Sequence, residues 1–381
     1  MNIILTGGGT AGHVSPAIAV AEEIMQSEPD SRILFIGREG GGENEAVTKA
    51  GLKLKTLKIQ GLKRKLTPEN IKRVAAALSA ERDAREILRD FKPDVVLGTG
   101  GYVCWPVLRA AVQLGIPTAI HESNAKPGLT TRLLARRCDL LLLNHKEAAE
   151  KLKKYRRAVT VGNPLRRSFK KTERKTARAQ LGIRDGETFI LSVGGSIGAE
   201  KLNDTVIEVM EEFSVKEKDI KHIHATGKRY FDSLKASKLA KGYGGCKIIP
   251  YIEDMATMLS AADIVISRAG AITLSEIAAV GTTPILIPSP NVSGNHQFEN
   301  AKRLSDAGAA VLIEEKYLTP EELKNAIIRL KNQKNERKNV AKRISAFYSP
   351  DAAKRIKNEL KKVVFSKKGS THLKNQGAKQ G

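Results

Sequence analysis

A chain of 381 residues, 41% hydrophobic and 28% charged, is too long for one core and too apolar for disorder, so two globular domains are expected. No apolar run approaches the roughly 18 residues that span a bilayer, and three scattered cysteines (Cys104, Cys138, Cys246) exclude a disulfide framework or a Cys-ligated metal in favour of buried thiols in a reducing cytosol. The formal charge of +24, from 65 Lys and Arg against 41 Asp and Glu, excludes an electrostatically indifferent surface and implies an anionic partner.

The chain opens on a short apolar strand, Asn2 to Thr6, which leaves no room for a signal peptide. It runs into Gly7-Gly-Gly-Thr-Ala-Gly-His13, where a helix should begin. Glycines let backbone N–H groups turn inward, and the helix start adds unpaired donors and partial positive charge, so the loop suits an anion. His13 falls in the first turn, where the macrodipole keeps imidazole neutral. It is either a proton acceptor for a hydroxyl nucleophile or a polar residue that hydrogen-bonds the loop. Gly7-x-Gly9-x-x-Gly12 also fits the dinucleotide fingerprint. However, the second strand, Arg32 to Ile36, ends in Gly37-Arg38, with Glu39 two places late for a ribose-binding acid, which argues against nicotinamide.

Further strands are expected at 94–98, 117–121, 139–143 and 159–161. Two carry polar clusters at their carboxyl ends: Gly98-Thr-Gly-Gly-Tyr102, and His121-Glu-Ser-Asn124 followed by Lys126-Pro-Gly128. Four polar residues closing an apolar strand read as a site. Asn163-Pro164 marks a domain switch, since the residue before proline leaves the helical region.

The second half repeats the opening device. Phe189 to Val193 is a strand, and Gly194-Gly-Ser-Ile-Gly-Ala199 follows about 187 positions after the first loop. Two such loops at the head of two halves imply twin nucleotide-binding-type domains with a cleft between them. Strands are expected at 220–225, 247–249, 263–267, 284–288 and 310–313, an α/β rhythm with parallel sheets. Arg268-Ala-Gly-Ala271 forms a tight loop before a helix from Ile272 to Val280, stopped by Gly281, and Asn295 to Asn300 starts another helix. Helix N-termini at the carboxyl ends of parallel strands suit a diphosphate. Thr273-x-x-Glu276 is either a capping box or a carboxylate placed for ribose hydroxyls. Gln297 and Asn300, three apart, share one helical face as surface amides or ligand contacts. No Asp-x-Asp occurs, so no metal and no tightly bound cofactor are expected, and a leaving diphosphate would be stabilised by helix dipoles and Arg or Lys.

Basic residues concentrate at Lys53 to Lys92, including Gly61-Leu-Lys-Arg-Lys65, at Lys126 to Arg157, and in residues 331–381, which hold 15 Lys and Arg against three acids. Aromatics are only 4% and no base-reading motif occurs, so the anionic partner is expected to be a membrane surface and not nucleic acid. A final helix spans about 351–364, and residues 366–381 should be a disordered basic tail.

Taken in order, Gly8 to His13, Lys92 to Gly98 with Gly100 to Val103, His121 to Asn124, Val161 to Arg166, Gly194 to Ala199, Arg268 to Glu276 and Gln297 to Asn300 closely resemble the MurG family of cell-wall transferases, glycosyltransferase family 28. The resemblance runs from Asn2 to about Val364. It implies a GT-B fold, two Rossmann-like doubly wound α/β domains, with an N-terminal domain at 1–162 joined by a C-terminal helix at 346–365, and a donor domain at 163–345. It implies inverting transfer of N-acetylglucosamine from UDP-N-acetylglucosamine to lipid I, the undecaprenyl-diphospho-N-acetylmuramoyl-pentapeptide, at the cytoplasmic face of the bacterial cell membrane. Donor contacts would be Thr10, Ala11, Gly12, Asn124, Arg166, Ser196, Ile252, Glu276 and Gln297, with Ala271, Ile272, Thr273 and Asn300 beside them. His13, Glu122 and Tyr102 would serve the acceptor and the chemistry. Transfer to another lipid such as diacylglycerol, or 2-epimerisation of UDP-N-acetylglucosamine, are the rival readings. Cys104-Trp105-Pro106 stands where the family has Ser-Gly-Pro, which places a bulky side chain beside the expected acceptor site. Membrane contact would rest on Leu62, Leu66, Ile71, Val74 and Leu78, flanked by Lys63, Arg64, Lys65, Lys72 and Arg73.

Overall fold

The computed structural model describes residues 1–61, 68–194 and 199–377. The chain forms two compact units, Met1–Arg167 with Ser349–Gly381, and Ser168–Tyr348. The crossing therefore falls after Arg167, later than the expected 162, and the return begins at Ser349 instead of 346. The reason is electrostatic: Glu22 accepts from the Arg166 Nε at 3.4 Å and from the Arg167 backbone N–H at 2.7 Å, which holds both residues to the first unit.

The first unit is built on seven parallel strands: β1 (Asn2–Thr6), β2 (Arg32–Arg38), β3 (Lys53–Leu57), β4 (Val95–Gly98), β5 (Thr118–Glu122), β6 (Leu140–Leu143) and β7 (Ala158–Thr160), in the order β3-β2-β1-β4-β5-β6-β7. The apolar runs form strands because both faces are covered by helices. Ile4 packs into one core layer while Ile3 and Leu5 enter the other, the period of two that a strand imposes. β3 is the strand the sequence analysis lacks. Its Lys-Leu-Lys-Thr-Leu run lies at the sheet edge, where only Leu57 is buried, so it carries no apolar run to read.

The second unit has six parallel strands: β8 (Thr188–Val193), β9 (Ile220–Ala225), β10 (Cys246–Ile249), β11 (Ile264–Ser267), β12 (Thr283–Leu286) and β13 (Val311–Leu312), ordered β10-β9-β8-β11-β12-β13. The helix Ala271–Val280 stops at Gly281, whose φ of +85° is the left-handed C-terminal conformation that glycine adopts without a Cβ penalty.

The helix Ala352–Gly377 belongs to the first unit. Ile356, Leu360, Val363 and Val364 recur on one face and are buried in the same core layer as Val14, Ile18 and Ala21 of the helix Ala11–Ser27. Lys357 donates to Glu23 at 2.9 Å and to the Ser27 hydroxyl at 2.7 Å. The helix continues to Gly377, through a segment expected to be a disordered tail from 366. Lys367 accounts for the first part of that extension, since its ammonium donates to Asp139 at 2.9 Å and to the Ile116 carbonyl at 3.2 Å. The three cysteines are free and buried. Burial pushes the thiols of Cys104 and Cys138 up to about 12 and that of Cys246 up to about 11, so they are inert core groups.

Leu360→Ala should destabilise the first unit by about 2–4 kcal/mol, since Leu360 is fully buried, whereas Phe365→Ala, at a side chain 73% exposed, should cost under about 0.5 kcal/mol. Equilibrium denaturation of both variants checks the difference.

Candidate active site

In each sheet the strand order reverses between two neighbouring inner strands, β1 and β4 in the first unit, β8 and β11 in the second. Loops leaving such a pair on its carboxyl side turn to opposite faces and open a crevice between them. Thr10 to His13 and Tyr102 lie after β1 and β4, and Ala271 to Glu276 after β11, whereas Glu122 and Asn124 close β5, Arg166 follows β7, Ile252 follows β10 and Gln297 follows β12.

In the first unit, Thr10 caps the helix Ala11–Ser27 and His13 lies in its first turn. The His13 Nδ1 is 3.2 Å from the Gly8 carbonyl and 3.1 Å from the Thr10 hydroxyl. A carbonyl can only accept, so Nδ1 carries the proton and the lone pair stands on Nε2. The loop after β4 presses against this group. Gly100 has φ +112°, and a Cβ there would come within 2.6 Å of the imidazole. Gly101 faces the Gly8 carbonyl just as closely. The Thr99 hydroxyl lies 2.6 Å from the His13 carbonyl and 3.2 Å from that of Thr6. The Tyr102 ring rests on Gly9 and Gly61. Burial raises its phenol pKa, Arg38 and Arg73 oppose that, and Glu43 reinforces it.

Glu43 is a residue the sequence reading missed. It is buried, and its carboxylate lies against Gly8, where a Cβ would sit 2.5 Å from Oε1. The signal available was an acid at a helix start just after Gly40-Gly-Gly42.

Glu122 is buried at the end of β5, and its carboxylate is fully engaged. Oε1 accepts from the Asn124 backbone N–H and side-chain amide, each at 3.0 Å. Oε2 accepts from the Gly128 N–H at 2.9 Å and the Thr131 hydroxyl at 2.6 Å. Four donors fill it, so Glu122 organises the loop that presents Asn124 and has no lone pair left for a substrate proton. His121 donates through Nε2 to the Gly162 carbonyl at 2.9 Å, and burial lowers its pKa, which makes it a neutral structural group. Arg166 pairs with Glu22. Trp105 packs on the core with the Arg109 guanidinium 5.0 Å above its ring, and Arg109 in turn pairs with Glu81 at 2.9 Å. The bulky side chain expected beside the site is thus taken up by packing.

In the second unit, Ser196 and the rest of 195–198 lie outside the described residues. A buried network precedes that loop: the Ser192 hydroxyl is 2.8 Å from both the His222 Nε2 and the His224 Nδ1, and the His224 Nε2 is 3.1 Å from the Asn203 Oδ1. Burial drives His222 down to about 3 and His224 to about 4, so both are neutral. The helix Ala271–Val280 has Gly270 at its cap and no side-chain cap. Thr273 therefore sits inside the first turn and the capping box does not form. Glu276, one turn into the helix, has no hydrogen-bond partner among the described residues, and burial alone pushes its carboxyl up to about 7. Ile252 and Ile272 are buried, while Ala271 and Thr273 are partly exposed.

Gln297 and Asn300, on the helix His296–Asp306, are not surface amides. The Gln297 Oε1 accepts from the Ser289 N–H at 2.9 Å, and the buried Asn300 donates to the Ala269 carbonyl at 3.3 Å. Asn300 was expected at the ligand. It is buried, with its side-chain amide against the loop after β11.

The chain matches the glycosyltransferase family 28 N-terminal domain over residues 3–142 and the family 28 C-terminal domain over residues 189–356. It is 40% identical over 367 residues to the UDP-N-acetylglucosamine–N-acetylmuramyl-(pentapeptide) pyrophosphoryl-undecaprenol N-acetylglucosamine transferase of Acetivibrio thermocellus, covering 96% of this chain and 99% of that one. The transferase of the same name from Clostridioides difficile is 41% identical over 384 residues, covering 98% and 92%. The crystal structure of Acinetobacter baumannii MurG superposes with a TM-score of 0.74 at 29% identity, covering 95% of this chain and 99% of that chain.

The Glu276 carboxyl should titrate near 7, against about 4.5 in the unfolded chain. A raised carboxyl pKa means that the native state holds the proton longer, so its stabilising contribution is complete below about 4.5 and lost as pH rises through 7. Glu276→Gln should flatten the stability–pH curve in that window by about 1–3 kcal/mol, read by denaturation at pH 5 and pH 8.

Proposed function

This chain belongs to glycosyltransferase family 28, and from that premise we propose that it moves N-acetylglucosamine from UDP-N-acetylglucosamine to the C4 hydroxyl of undecaprenyl-diphospho-N-acetylmuramoyl-pentapeptide, making the lipid-linked disaccharide of peptidoglycan synthesis. The observation that carries the reading is identity of 40% across 96% of the chain to a transferase whose name states that reaction. Radiolabel transfer from UDP-N-acetylglucosamine to the purified lipid acceptor, with diacylglycerol in parallel, tests it. Label on diacylglycerol alone would replace the acceptor, and label on neither would remove the activity.

The reaction is a direct inverting displacement. The C4 oxygen bonds to the anomeric carbon as the bond from that carbon to the UDP oxygen breaks. The hydroxyl proton passes to His13 Nε2, because its Nδ1 is already protonated and Glu122 is saturated. Charge growing on the departing diphosphate is met by the positive end of the helix Ala271–Val280 and the N–H groups of its first turn. Glu276 accepts from the ribose hydroxyls, and Asn124, Arg166, Ser196, Ile252 and Gln297 complete the donor contacts as the family motif implies.

The protein works at the cytoplasmic face of the membrane as a peripheral enzyme. Among the described residues no helix is long and apolar enough to cross a membrane. Val74 and Leu78 are 48% and 49% exposed on the helix Pro68–Phe91 and support apolar contact. Leu62, Lys63, Arg64, Lys65 and Leu66, expected to share that contact, lie outside the described residues, as do the side chains of Ile71 and Lys72.

His13→Ala should lower turnover roughly 10²–10⁴-fold and erase the ascending limb of the pH–rate profile near neutrality, whereas Glu122→Gln should lower turnover with the limb intact. Stopped assays across pH 5.5–9 separate the two. For Glu276→Ala, calorimetry should report donor affinity weakened about tenfold, with little change in melting temperature. Replacing Lys63, Arg64 and Lys65 with Glu should weaken binding to phosphatidylglycerol vesicles by about 1 kcal/mol per residue at low salt and spare transfer to a short-chain soluble acceptor.

A further inference from the structure

A depression of about 550 Å³ lies in the first unit beside the ends of β2 and the edge strand β3, lined by Arg38, Glu39, Lys58, Ile59, Gln60, Arg73 and Ala76. Three cations face one carboxylate there. The Arg38 Nε is buried without a hydrogen-bond partner, while its Nη2 donates to the Gly40 carbonyl at 3.3 Å. Arg73 holds the Gly61 carbonyl, and no ion pair with Arg38 or Lys58 occurs among the described residues. Two guanidinium groups and an ammonium against the single Glu39 carboxylate leave an excess of positive charge that suits an oxyanion, with the planar fork of Arg suited to a carboxylate.

The place of this depression says which oxyanion. The Tyr102 ring touches Gly9 on one side and Gly61 on the other, and Gly61 is the residue Arg73 holds. One aromatic side chain therefore separates the depression from the glycine loop beside His13. An acceptor whose diphosphate sat on that loop, the anion-binding turn the sequence suggests, would bring its next anionic group to the far side of Tyr102. A pentapeptide reaches about 17 Å when extended, more than enough to pass one ring.

We propose that the Arg38–Lys58–Arg73 depression binds a carboxylate of the acceptor's peptide, with Gln60 placed to hydrogen-bond the peptide amides. This rests on the acceptor assigned above and makes the site a specificity determinant for an acidic peptide chain.

The test uses the full-length enzyme without membranes and two short-chain acceptor analogues, one with free peptide carboxylates and one with each capped as a primary amide. The wild-type enzyme should show a KM roughly five- to tenfold lower for the acid, the scale of a charge-assisted hydrogen bond. The double variant Arg38→Gln, Lys58→Gln should raise the KM of the acid to that of the amide, with kcat and the KM for UDP-N-acetylglucosamine unchanged and the melting temperature retained. Equal KM values for both acceptors in the wild-type enzyme, or equal losses on both in the variant, would overturn the proposal while leaving the transferase reading intact. Weaker phosphatidylglycerol vesicle binding by the variant with an unchanged acceptor KM would also overturn it, by assigning the depression to lipid headgroups. Absence of transfer to either analogue by an enzyme that also fails on the natural lipid would sink the transferase reading itself.

Discussion

The meeting of two glycine turns at the centre of the first sheet is the constraint on which the rest of the site depends. β1 and β4 are neighbours, so the loops leaving them must share one narrow space. Gly100 and Gly101 adopt backbone conformations closed to other residues and stand where a Cβ would strike the His13 ring or the Gly8 carbonyl. This contact holds the imidazole against the loop, and the Gly8 carbonyl then selects its tautomer. A base on a flexible loop would spend little time in one orientation. The His13 ring is held by backbone on two sides, which supports the proton-acceptor role proposed for it.

Two glutamates illustrate how surroundings, and not residue type, assign a role. Glu122 receives four donors and becomes a fixed strut of its loop. Glu276 receives none from the described residues, and burial without a partner holds its proton to about pH 7. A carboxylate desolvated with no internal partner is costly to the fold, and that cost is offset when a ligand supplies hydroxyl donors.

The charge excess also divides by role. Asp263 gathers Arg174, Arg178 and Arg337, and Asp139 gathers Arg156 and Lys367, so many cations serve to staple helices onto strand ends. The cations of the depression beside β3 have no such duty. Arg38 and Arg73 bond only backbone carbonyls there, and no ion pair fixes them among the described residues, which supports the proposed oxyanion site.

Backbone-determined features were legible in the sequence. Strands buried on both faces read as apolar runs, Gly281 read as a helix stop, and the first glycine loop read as a strand-to-helix turn, since each depends on local periodicity and permitted φ values. β3 was not legible, because an edge strand with one buried residue carries no such run. Side-chain roles needed the tertiary structure. The saturation of Glu122, the burial of Glu43 against Gly8, the withdrawal of Asn300 to the Ala269 carbonyl and the failure of Thr273 to cap Glu276 all depend on which groups the folded chain brings into reach. Local sequence specifies where a loop turns. Which donors surround a carboxylate on that loop is set by strand order and helix packing, and these bring together residues that the chain itself holds far apart.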